Sequence, residues 1–89
     1  MLLGCSSLTY VEIPSNVTSI GVSAFERCTG LYQIDMTESV MSIGYEAFRE
    51  CESLSYVNFY GTSTEFLTID EGNGYLTDAT WYYMEPEAN

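Results

Sequence analysis

Residues 28–51 read Cys28-Thr-Gly-Leu31-Tyr-Gln-Ile34-Asp-Met36-Thr-Glu-Ser-Val40-Met-Ser-Ile43-Gly44-Tyr-Glu-Ala47-Phe48-Arg-Glu-Cys51, and the stretches on either side repeat them. Cys5, Cys28 and Cys51 stand at a constant spacing of 23 residues. Each opens a matching segment: Cys5-Ser-Ser-Leu8, Cys28-Thr-Gly-Leu31 and Cys51-Glu-Ser-Leu54. The match continues through Val11/Ile34/Val57 and Ile13/Met36/Phe59, then Val17/Val40, Ile20-Gly21/Ile43-Gly44 and Ala24-Phe25/Ala47-Phe48. Two full units and part of a third are present.

The unit can be read physically. Leu8, Val11 and Ile13 turn apolar side chains inward while Glu12 points out between two of them, which predicts a short parallel strand. Val17 and Ile20 form a second inward set between the turn signals Pro14-Ser15-Asn16 and Gly21, so a second extended piece is expected there. Gly21 and Gly44 end it. Residues 22–28 and 45–51 then place Ala, Phe and Cys at spacings of one and three, predicting a single helical or 3₁₀ turn with one buried side. A period between about 20 and 29 residues that opens on Leu-x-x-apolar-x-apolar marks a leucine-rich solenoid, each unit being one coil.

These residues resemble the BspA-type, or treponemal-type, leucine-rich repeat, whose unit reads Leu-x-x-Val-x-Ile-Pro-x-x-Val-x-x-Ile-Gly-x-x-Ala-Phe-x-x-Cys. About eleven positions recur in register over residues 5–59. The expected fold is a right-handed stack of about 2.5 coils of 23 residues with short parallel strands, short helical or 3₁₀ turns and a C-terminal cap. Residues 1–84 form one domain: 1–4 end a preceding coil, 5–27 and 28–50 are repeats, 51–59 a partial third and 60–84 the cap. Within 60–84, Thr62-Ser-Thr-Glu65 reads as a capping box opening a short helix, Gly72-Asn73-Gly74 as a turn, and Trp81 as the cover of the last coil. Residues 85–89 read as a frayed tail. Because Met1 to Gly4 align with Ala24 to Arg27, the chain is read as opening partway through a coil. An uncapped coil there is expected to self-associate, since unpaired strand edges and apolar side chains invite another chain.

Composition narrows the function. The 89 residues carry 13 acidic side chains against two arginines, no lysine and no histidine, a formal charge of −11. A phosphate-binding surface needs clustered Lys or Arg, so no nucleic acid partner is expected, and anionic lipid is disfavoured for the same reason. Without histidine the usual zinc sites, a Ser-His-Asp triad and a Cys-His dyad are all unavailable. No catalytic residue, metal site or cofactor is expected, and the chain is read as no enzyme. No basic-then-apolar signal-peptide pattern opens the chain, and no apolar run approaches about 18 residues, so no membrane insertion is expected.

The cysteine column admits a redox or metal reading. The structural reading is stronger: equivalent inward positions on stacked coils lie about 5 Å apart with parallel Cβ vectors, poor disulfide geometry, and a free thiol behaves as a small buried hydrophobe. Asp70-Glu71-Gly72-Asn73-Gly74 lacks calcium-loop spacing and reads as a turn. The sequon Asn16-Val17-Thr18 is set aside because Val17 is expected to face the core.

Parallel coils align their outward residues into the columns Thr9/Tyr32/Ser55, Tyr10/Gln33/Tyr56 and Glu12/Asp35/Asn58. This puts tyrosines beside carboxylates on the face where solenoids bind partners, and Tyr brings large contact area at low entropy cost. Tyr10, Glu12, Tyr32, Gln33, Asp35, Tyr56 and Asn58 are the candidate partner-binding residues. Glu12 and Asp35 fall side by side as like charges, which costs stability unless a cation, a partner's Lys or Arg, or a raised pKa relieves it. The plain alternative is a solvated, soluble sheet face. A glycosidase pair is disfavoured because an open face offers no pocket to raise one carboxyl pKa.

The resemblance implies a non-enzymatic protein-binding or adhesion module, secreted or at the bacterial cell surface as part of a longer chain. Its partner would be a protein, such as a host extracellular-matrix glycoprotein like fibronectin or fibrinogen. A structural spacer or assembly module capping a longer array is the second reading, and a carbohydrate-binding tyrosine surface the third.

Overall fold

The computed structural model of the protein describes residues 5–84. The expectations for residues 1–4 and 85–89 lie outside these. The chain winds as a parallel β-solenoid of about three turns. The strands β1 (Tyr10–Glu12), β3 (Gln33–Thr37), β5 (Tyr56–Tyr60) and β7 (Thr80–Met84) form one sheet in the order β1-β3-β5-β7. The two-residue strands β2 (Ser19–Ile20), β4 (Ser42–Ile43) and β6 (Thr68–Ile69) form a second, in the order β2-β4-β6. Register follows the repeat, with Val11, Ile34, Val57 and Trp81 in line, and Ile20, Ile43 and Ile69 in line. Period-two alternation explains the strands: in β3, Ile34 and Met36 are fully buried and the flanking Gln33, Asp35 and Thr37 half-buried.

The core is the inward column set, including Leu31, Ile34, Met36, Ile43, Phe48, Val57 and Phe59. Phe25 and Phe48 stack with centroids 5.2 Å apart and planes 10° from parallel. The apolar residues of the outer coils, Cys5, Leu8, Val11 and Val17 at one end and Leu67, Ile69, Ala79 and Trp81 at the other, pack on this core while staying partly exposed.

The turn segments differ from expectation. Residues 22–28 and 45–51 form no continuous helix, because Ser23, Arg27, Glu46 and Glu50 adopt φ of 58°, 65°, 55° and 61°. Left-handed residues break a helical run, and they give the N–H groups alternating partners. Ala24, Glu26 and Cys28 donate to carbonyls three residues back, at 3.2 Å each. Ser23, Phe25 and Arg27 donate across to Tyr45, Ala47 and Arg49 of the next coil, at 3.1, 2.7 and 2.7 Å. The turn side is thus a third inter-coil ladder with its donors satisfied. Gly44 serves its close packing, since a Cβ there would lie 2.7 Å from the Val22 nitrogen.

Residues 60–84 depart from the repeat in sequence yet continue both sheets. The spacing stretches to 26 between Ser42 and Thr68 and returns to 24 between Tyr56 and Thr80. The helix expected from Thr62–Glu65 does not form. The Ser63 hydroxyl accepts the Glu65 N–H at 3.0 Å and Leu67 N–H donates to Thr64, which makes a turn that absorbs the extra residues. The single α-helix of the described residues, α1 (Gly74–Asp78), follows the Gly72-Asn73-Gly74 turn and buries Leu76. Asn73, only 3% exposed, replaces a backbone link of the ladder. Its Oδ1 accepts the Phe48 N–H at 2.9 Å, where Phe25 one coil earlier donates to a backbone carbonyl. Its Nδ2 donates to the Gly44 and Asp70 carbonyls at 3.0 and 2.8 Å.

Candidate functional site

The outward residues of β1, β3, β5 and β7 form one continuous face. Two columns cross it in exact register: Tyr10, Gln33, Tyr56 and Thr80, then Glu12, Asp35, Asn58 and Tyr82. Asp35 is its hub. The Tyr10 hydroxyl donates to Oδ2 at 2.7 Å, while Gln33 Nε2 and Asn58 Nδ2 donate to Oδ1 at 3.1 and 2.9 Å. Four of the seven residues singled out from the sequence therefore form one hydrogen-bonded cluster spanning three strands.

Glu12 stands in register beside Asp35, as the columns predicted. Three polar donors converge on Asp35, where the sequence suggested a cation, a partner's Lys or Arg, or a raised pKa. Glu12 itself is exposed and accepts no hydrogen bond and makes no ion pair within the described residues. The Tyr10 phenol is pushed up to about 12, first by its hydrogen bond to Asp35 and further by desolvation and by the charges of Asp35 and Glu12.

Tyr32 and Tyr56 meet edge to face with centroids 5.3 Å apart, and Tyr56 stacks on Tyr82 at 5.9 Å. Hydrogen bonding to Tyr56 raises the Tyr32 phenol. The result is an aromatic row across three coils beside the Asp35 cluster. Sequence reasoning missed Tyr82, because it follows Asn58 by 24 residues and not 23. It also missed Tyr60, which lies two positions beyond Asn58 on the same face and in register with Thr37. Strand alternation alone carries that signal.

The two arginines serve the turn side. Arg27 pairs with Glu50 at 3.2 Å, and Arg49 reaches Glu26, Glu46 and Glu50 at 3.4, 3.8 and 3.8 Å. The sheet face is left with carboxylates and phenols. Among the described residues no cluster of three or more His, Cys, Asp or Glu is placed to hold a metal ion, and no helix is long and apolar enough to cross a membrane. Cys28 and Cys51 are buried and Cys5 is half-buried. Cys51 Sγ donates to the Phe25 carbonyl of the preceding coil at 3.0 Å, and burial raises its pKa to about 11.

A family model described as a BspA type leucine rich repeat region (6 copies) matches residues 2–73. No curated protein and no solved structure matches the chain.

Proposed function

The chain belongs to the BspA-type leucine-rich repeat family, and from that premise we propose that it is a non-enzymatic protein-binding module of the adhesion type, acting through the outer face of its main sheet. The observation that carries this reading is the preorganised face. Asp35 fixes the side chains of Tyr10, Gln33 and Asn58, and Tyr32, Tyr56 and Tyr82 lock one another by ring contacts. Side chains already ordered before contact lose less entropy on binding, and tyrosine supplies apolar area with a polar tip. The partner is a protein, in the first instance an extracellular-matrix glycoprotein, and the module works at the cell surface or after secretion.

The test is binding of the purified domain to an array of matrix glycoproteins and glycans. Beside it runs the variant Tyr10→Ala, Glu12→Ala, Asp35→Ala, Tyr56→Ala, its fold checked by circular dichroism. Saturable protein binding lost in the folded variant supports the reading, and binding confined to glycans replaces it with carbohydrate recognition. Equal binding by both proteins, or none by either, overturns it.

A second reading, as a spacer or assembly module, is favoured by the sheet edges. Among the described residues β1 and β7 each pair along one side only, and the apolar residues of their coils stay partly exposed. Association through the β1 coil would give a mass above 10.0 kDa by light scattering at micromolar concentration.

A further inference from the structure

Taking the sheet face as a protein-binding surface, we propose that its partner is a basic protein whose extended segment seats an arginine side chain in a slot at the carboxyl ends of β1, β3 and β5. The slot has a volume of about 110 Å³ and lies between Glu12, Asp35, Met36, Thr37 and Tyr60. Its walls differ in chemistry. Glu12 offers a carboxylate with no donor of its own, next to Asp35, whose oxygens already take three. Tyr60 contributes an aromatic side chain to the same lining. The Thr37 hydroxyl is held by Ser39 at 2.7 Å, and Met36 is fully buried beneath.

This combination favours guanidinium over ammonium. A guanidinium is planar and weakly hydrated, forks onto a carboxylate and stacks on an aromatic face, whereas an ammonium is a compact, strongly hydrated point charge. The protein's two arginines are engaged elsewhere: Arg27 and Arg49 are held on the turn side by Glu26, Glu46 and Glu50. A chain of charge −11 also draws in a basic surface and orients it. The Tyr32–Tyr56–Tyr82 row alongside supplies apolar area for the residues flanking the inserted arginine. The face thereby offers one charged anchor point beside an aromatic platform, the arrangement in which Arg and Tyr dominate interface energetics.

The experiment is an amide-resolved NMR titration at low salt with three probes: N-acetyl-arginine methylamide and its lysine and citrulline analogues. Saturable shifts for the arginine probe confined to Glu12, Asp35, Thr37 and Tyr60, weaker ones for lysine and none for citrulline, are expected. Glu12→Gln should weaken the arginine probe roughly fivefold, the scale of an exposed ion pair, and Tyr60→Leu should erase the preference over lysine. No shifts, or shifts spread alike over the other acidic residues for all three probes, would overturn the slot. The glycoprotein array separates the two levels. Protein binding lost in Tyr56→Ala but intact in Glu12→Gln removes the arginine slot and keeps the protein-binding reading. An arginine probe seated in the slot with no protein bound on the array does the reverse.

Discussion

The Tyr10 hydroxyl lies 2.7 Å from Oδ2 of Asp35, one strand away. The side chain of one coil is thereby tied to the carboxylate of the next, whose other oxygen takes Asn58 of the third. Like charges at Glu12 and Asp35 are tolerated in register because polar donors converge on one of them.

Tyr10, whose hydroxyl donates to the Asp35 carboxylate, should ionise well above the ordinary phenol value. Spectrophotometric titration is expected to show one phenol near 12, returning toward 10 in Asp35→Asn. The folded pKa lies above the unfolded one, so the contribution to stability is complete below about pH 10 and is lost as pH rises through about 12. Tyr10 is 45% exposed, so solvent screening keeps the effect below the full linkage value. A flat unfolding free energy for the wild type over that window, relative to Tyr10→Phe, would contradict this.

Asn73→Ala should cost about 2 to 4 kcal/mol in urea denaturation, because it strands the buried Phe48 N–H and removes the donor to Gly44 and Asp70. Asn73→Asp keeps the acceptor and loses both donations, so it too should destabilise. A loss under about 1 kcal/mol for alanine would show that the last coil repacks freely.

Gly21 and Gly44 occupy the same place in successive repeats and should respond differently to alanine. A Cβ at Gly44 meets the Val22 nitrogen at 2.7 Å and the Gly21 carbonyl carbon at 2.9 Å, whereas at Gly21 nothing lies within 4 Å. Thermal melts should show Gly44→Ala destabilised by about 1 to 3 kcal/mol and Gly21→Ala within about 1 kcal/mol of wild type.

Native-state alkylation at pH 8, followed by mass spectrometry, should label Cys5 first. Cys28 and Cys51 are fully buried, and the Cys51 thiol is held protonated by burial. Their labelling should require unfolding and slow in proportion to stability; equal rates for all three thiols would show an opened core.

The repeat arithmetic already contains the strands, their parallel register and the inward columns. A 23-residue period with period-two alternation leaves one way to bury Ile34, Met36, Val57 and Phe59 together. The same arithmetic put Glu12 beside Asp35 and aligned Tyr10, Gln33 and Tyr56, because outward columns follow from inward ones. It failed where spacing changes. The stretch to 26 and return to 24 hid β6, β7 and Tyr82, and the Thr62–Glu65 pattern promised a helix where three extra residues had to be absorbed in a turn.

Other features were decided only by the tertiary structure. Left-handed backbone at Ser23, Arg27, Glu46 and Glu50 replaces an expected helical turn, because alternate N–H groups gain partners in the next coil that no isolated segment provides. Asn73 acquires its bridging role, Cys51 its carbonyl partner and Asp35 two of its three donors through contacts 23 to 29 residues apart. Periodic sequence determines which residues share a column, since that depends only on spacing. Which atoms meet between columns depends on how closely the coils stack, and that distance is set by the whole core at once.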